Sequence, residues 1–122
     1  MIHVLNGQIP YPTDENNFFT WNLSLLSPVI KRVVYLSKSG STTPTYCGIR
    51  ILDSGRNILP SPGYGLDRWL SVYISSTLYY PLEYRFLEAP YNLTFQAYNF
   101  YGASVGQFSL FIETTDYYKM RA

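Results

Sequence analysis

The sequence predicts an all-β fold, an antiparallel β-sandwich with a jelly roll preferred over an immunoglobulin-like arrangement. Three observations predict it. Apolar and polar residues alternate with a period of two through most of the chain, and no sustained 3.6-residue pattern competes. The alternating runs are short, about eight in number, and are separated by Gly, Pro, Asn and Ser clusters. The composition, 47% hydrophobic and 18% aromatic with 14% charged, excludes a disordered segment and a charged coiled coil. The immunoglobulin-like alternative lacks the Cys…Trp…Cys hallmark, because the chain has one cysteine.

Each element has its own justification. His3 reads as part of a terminal strand, and Pro10 to Asn17 as a loop. Phe19, Trp21, Leu23 and Leu25 alternate with Thr20, Asn22 and Ser24, which predicts a half-buried strand. Val29 to Lys38 is β-branched-rich, yet its inward set is either Val33/Tyr35 or Val34/Leu36. Ser37 to Thr45 reads as a loop. Cys47, Ile49 and Ile51 share one strand face opposite Tyr46, Gly48 and Arg50. Asp53-Ser54-Gly55-Arg56 predicts a turn into a short Asn57–Leu59 strand stopped by Pro60 and Pro62.

Further on, Leu70, Val72 and Ile74 alternate with Trp69, Ser71 and Tyr73. Leu82, Tyr84 and Phe86 predict a strand closed by Glu88-Ala89-Pro90. Leu93, Phe95 and Ala97 predict the next, a hairpin loop from Asn99 to Ser104 centred on Gly102 follows, and Phe108, Leu110 and Ile112 predict the last. Residues 1–115 are expected to form one domain and 116–122 a C-terminal tail. Size scaling buries roughly two-thirds of the unfolded surface, enough for a core without disulfides or metal.

Chemistry-bearing residues are sparse, and no enzymatic activity is expected. His3 and Cys47 are the only His and Cys, too few for a usual zinc set. Cys47 shares the Ile49/Ile51 face and reads as a buried thiol rather than a reactive one. Glu83 and Glu88 have an odd spacing, so one regular strand would turn them to opposite faces, against a paired-carboxylate glycosidase. Asp14-Glu15-Asn16-Asn17 lacks the spaced pattern of a calcium loop, and Gly63-Tyr64-Gly65 lacks the Lys-Ser/Thr of a phosphate loop. No cofactor is expected. Asn22-Leu23-Ser24 and Asn92-Leu93-Thr94 match the glycosylation acceptor pattern but fall inside strands, so chance is the better reading.

A formal charge of +1 and a pI near 7.8 argue against nucleic acid as a partner, despite Arg50, Arg56 and Arg68 interleaved with aromatics. No secretory signal and no apolar run long enough for a spanning helix is visible, so no membrane partner is expected. The tyrosines are the remaining signal. Tyr46, Tyr73 and Tyr98 fall opposite the aliphatic faces of their strands, together with Trp69. Tyr11, Tyr64 and Tyr101 fall in loops, and Tyr117 and Tyr118 on the tail. Aromatics are enriched at protein interfaces while Lys and Glu are depleted. Tyr46, Trp69, Tyr73, Tyr98, Tyr101, Tyr117 and Tyr118 are therefore the interface candidates. A carbohydrate platform is the alternative, with Asn57, Asp67, Arg68 and Trp69 as its candidates.

Residues 46 to 113 carry the segments of a resemblance. Gly48-Ile49-Arg50-Ile51-Leu52-Asp53 with Ile58-Leu59-Pro60 resembles small jelly-roll virion proteins of bacteriophages. So do Pro90-Tyr91-Asn92-Leu93-Thr94-Phe95 with Ala97-Tyr98-Asn99, and Phe108-Ser109-Leu110-Phe111-Ile112. The resemblance implies a decoration, cement or spike protein, located in the virion, that oligomerises with itself and docks on capsid or tail proteins. It transfers no site residue. The expected function is that of a non-enzymatic virion structural protein; a carbohydrate- or receptor-binding sandwich module is the alternative.

Overall fold

A computed structural model of the chain describes residues 1–10, 12–39, 46–60, 69–73, 77–80, 82–101 and 106–115. The protein is all-β, two antiparallel sheets packed as a sandwich. Among the described residues ten strands run in chain order: β1 Ile2–Ile9, β2 Phe19–Leu25, β3 Val29–Ser39, β4 Tyr46–Asp53, β5 Arg56–Leu59, β6 Leu70–Tyr73, β7 Thr77–Tyr80, β8 Tyr84–Arg85, β9 Tyr91–Tyr101 and β10 Gly106–Thr114. The first sheet has the order β1-β10-β3-β7, with β8 also on β3. The second has the order β2-β9-β4-β5, with β6 also on β4. The end strands β1 and β2 lie at the same side of the sandwich, where the backbone N–H of Leu26 donates to Nε2 of His3 at 3.3 Å.

The strands form where alternation supplies one apolar face, and that face turns inward. Leu93, Phe95 and Ala97 of β9 are buried, as are Cys47, Ile49 and Ile51 of β4 and Phe108, Leu110 and Ile112 of β10. The β3 ambiguity resolves to Val33, Tyr35 and Ser37 inward. A register shift opposite Glu113/Thr114 accommodates Lys31, which puts buried Ile30 three positions before Val33.

Four rings tie the sheets together: Trp21 and Phe95 from the second sheet, Phe108 and Tyr35 from the first. Phe108 lies 5.0 Å from both Trp21 and Phe95 and 5.9 Å from Tyr35. Such pairs each contribute about 0.5–1.5 kcal/mol beyond the area they bury. Tyr35 keeps its hydroxyl satisfied in this interior, 3.6 Å from Cys47 Sγ. Burial raises the pKa of the Tyr35 hydroxyl and of the Cys47 thiol above their ordinary values, which leaves Cys47 a protonated core residue.

β3 runs on to Ser39 and β9 to Tyr101, into segments expected as loops, and the structure departs from the expected elements in two further places. The strand expected from Leu82 to Leu87 keeps its inward face, with Leu82 and Phe86 buried, but only Tyr84–Arg85 pairs, along the end of β3. The second departure is β7, which the sequence pattern did not reveal.

Candidate interaction surface

The outer face of the first sheet carries an apolar row set by register. Val4 pairs with Phe111, Phe111 with Val34, and Val34 with Tyr79, one residue from each of the four strands β1, β10, β3 and β7. Paired residues on neighbouring strands point to the same side, so the row runs across the full width of the sheet. Val4 is 47% exposed and Tyr79 is 74% exposed. Ile2 and Leu36, on the flanking rows, are exposed as well. Arg32 and Glu113 form an ion pair beside the row on the Ile2 side. On the other side lies an open trough of about 590 Å³ lined by Asn6, Gln8, Leu36, Gln107 and Ser109, where the Ser109 hydroxyl donates to Asn6 Oδ1 at 2.6 Å.

The outer face of the second sheet is built differently. Gln96 of β9 stands between Thr20 of β2 and Arg50 of β4. The Arg50 Nε donates to Gln96 Oε1 at 2.7 Å, and the Gln96 amide donates to Thr20 at 3.4 Å. Thr94 bonds Asn22 and Ser24 bonds Asn92 in the next rows, so hydroxyls and amides pave the face. The guanidinium of Arg50 lies 3.9 Å from the Trp69 ring centre and 5.0 Å from that of Phe18. Arg50 is thus buried between rings, where a cation–π contact gains strength by desolvation.

Two local devices bring Phe18 and Tyr98 there. The segment ahead of β2 is pinned by Thr13, whose backbone N–H donates to Asn99 O at 2.9 Å and whose hydroxyl accepts from Asn99 N at 2.6 Å. Asn16 N donates to Asp14 Oδ1 at 2.8 Å, an Asx turn within this segment. Gly48, opposite Tyr98 in the ladder, leaves the space that the Tyr98 ring occupies; a Cβ there would overlap it.

At the end of the sandwich formed by the β2–β3 and β8–β9 connections, Phe86 N donates to Pro28 O at 2.8 Å. Leu26 and Leu87 are exposed there, Leu26 at 70% and Leu87 at 91%. Beside them the Tyr84 hydroxyl donates to Asp53 Oδ2 at 2.5 Å. Burial, then that carboxylate, raises the Tyr84 pKa above the ordinary tyrosine value.

The expected site residues fare unequally. Tyr98 is corrected: it is only 8% exposed, roofed by the Trp69 ring at 4.8 Å, and so is part of the fold rather than a free contact residue. Trp69 is half-buried, with its ring engaged by Arg50, Phe18 and Tyr98. Asn57 is also corrected, because its side chain is fully buried in β5 and cannot meet a sugar at the surface. The ladder sets Tyr46 opposite both Tyr73 and Tyr101, so three interface candidates share one backbone row of the second sheet. Asp67, Arg68, Tyr117 and Tyr118 lie outside the described residues, as do Tyr11, Tyr64 and the Gly102 loop.

The apolar row on the first sheet is the feature the sequence reading missed. Its signal was present: β3 is apolar on both faces, which is why its inward set was ambiguous. Among the described residues no group of three or more His, Cys, Asp or Glu is placed to hold a metal, and no helix is long and apolar enough to cross a membrane. No known protein family, curated protein or solved structure matches the chain.

Proposed function

We propose that this chain is a non-enzymatic structural protein that works by self-association and by docking on a larger particle, as a virion decoration, cement or spike module does. The observation that carries the proposal is the Val4–Phe111–Val34–Tyr79 row, an apolar band across a solvent-facing sheet. Contiguous exposed apolar surface on a folded domain marks interaction sites. A formal charge of +1 on 122 residues adds little repulsion between copies. The nesting of strands, first with last and second with next to last, supports a jelly-roll reading of the sandwich, the fold type of the virion proteins that residues 46–113 resemble.

Sedimentation velocity over a concentration series tests the reading. The expected result is a mass above 14.1 kDa that rises with concentration, and a lower mass at each concentration when Val34→Thr and Tyr79→Ser are combined. A monomer at every concentration overturns it.

A second reading, glycan recognition, is favoured by the hydroxyl and amide ladder of the second sheet beside half-buried Trp69. A glycan array with the intact chain separates the two: reproducible hits lost in Asn22→Ala favour the second, and none removes it.

A further inference from the structure

The hydrogen-bond phase of β1 fixes how a second copy fits against it. Met1 N donates to Thr114 O at 3.0 Å, and Thr114 N donates to Met1 O at 2.8 Å. That reciprocal pair sets the alternation for the whole β1–β10 ladder. His3, Leu5, Gly7 and Ile9 therefore direct their backbone groups toward β10. Ile2, Val4, Asn6 and Gln8 direct theirs toward the open edge, where no described strand pairs with them.

We propose that two copies of this chain pair through β1, antiparallel about a two-fold axis at Leu5, to make a continuous sheet across the dimer. The inference rests on the self-association reading above and names its surface. Only registers that match even residues with even ones join open-edge groups on both sides. Of these, the register centred on Leu5 uses the whole strand: Ile2 faces Gln8, and Val4 faces Asn6, each twice by symmetry. Every such pair exchanges two backbone hydrogen bonds. Shifting the centre to Val4 or Asn6 loses a pair.

Side chains agree with this register. The alternate pairs lie closer together, with Cα atoms about 4.5 Å apart. Leu5 meets Leu5 there, and His3 meets Gly7, where Phe108 and Trp21 already occupy the space a Cβ would fill. Natural sheets protect open edges with Lys, Pro, bulges or inward charges. Between Ile2 and Ile9 there is no Lys, Arg, Asp, Glu or Pro, and the β1–β10 register runs unbroken. Like charges therefore do not oppose the approach of a second β1. Because β2 lies at the same side of the sandwich, its edge turns toward its counterpart in the same dimer. The outer faces join too, and the two apolar rows come side by side with a two-residue stagger.

Three variants of the full chain, measured by sedimentation and by melting, test the pairing. Asn6→Pro removes an edge-facing N–H, at a position where sheets tolerate proline, together with the exposed side-chain bond from Ser109. It is expected to weaken self-association at least tenfold while the cooperative melt persists. Val4→Lys, an edge charge, is expected to act in the same direction. Leu5→Cys is expected to form a disulfide-linked dimer of twice the 14.1 kDa chain mass under mild oxidation, and Ile2→Cys is not. A parent chain that associates while Asn6→Pro and Val4→Lys keep its affinity, with no Leu5→Cys cross-link, overturns the edge pairing and leaves the self-association reading standing. A parent chain that is monomeric throughout overturns both.

Discussion

Gly48 and Tyr98 illustrate how single residues set this surface. The Tyr98 ring lies where a side chain on Gly48 would be, and Trp69 closes over it. Gly48→Ala is therefore expected to destabilise the protein by about 1–3 kcal/mol, the cost of overpacking, measured by urea denaturation. His3 makes the second residue-scale prediction. Burial is the main cause that lowers its pKa below the ordinary value, and its Nε2 already accepts from Leu26 N. The unfolded chain thus binds the proton more tightly than the native one. The contribution is complete above the unfolded pKa and is lost as pH falls through the lower folded one. Melting temperature is expected to drop from pH 7.5 to pH 5 more in the parent than in His3→Gln. Tyrosine is where sequence reading was least able to see. Whether Tyr35 is core and Tyr98 is roofed depends on neighbours from other strands, which periodicity along one strand does not contain.

At the scale of elements, alternation was sufficient where one face meets the core and the other meets polar solvent, as in β2, β9 and β10. It was ambiguous in β3 because Val34 and Leu36 belong to an apolar outer face, so both faces look like core. It overextended the strand around Tyr84 because burial of Leu82 and Phe86 does not require ladder pairing. The β4–β5 turn was legible as a turn, and its backbone supplies a prediction. Ser54 has φ of 51° and Gly55 of 81°, the left-handed conformation of a tight hairpin that serine adopts at a cost. Ser54→Asn is expected to stabilise the fold by about 0.5–1 kcal/mol, visible as a higher melting temperature, since Asn tolerates that region.

For the whole molecule, two identical edges that pair in a dimer make stability depend on protein concentration. A tenfold rise in concentration is expected to raise the melting temperature of the parent, as mass action requires, and to raise that of Asn6→Pro less. Association driven by apolar contact and backbone pairing is also expected to change little between low and moderate salt, because surface charge contributes little to it. Light scattering at two ionic strengths reads this directly.

The nesting of strands has a consequence for the life of the chain before it is folded. Among the described residues β1 finds its strand partner in β10, about a hundred residues later. At roughly 5–20 residues per second, synthesis keeps β1 waiting on the order of 5–20 s for that partner. Throughout that interval both of its edges are open, and nascent chains on one message present the same strand to one another. The protein thus has a window, closed by the arrival of its last strand, in which neighbours being translated together can meet strand to strand before either has folded.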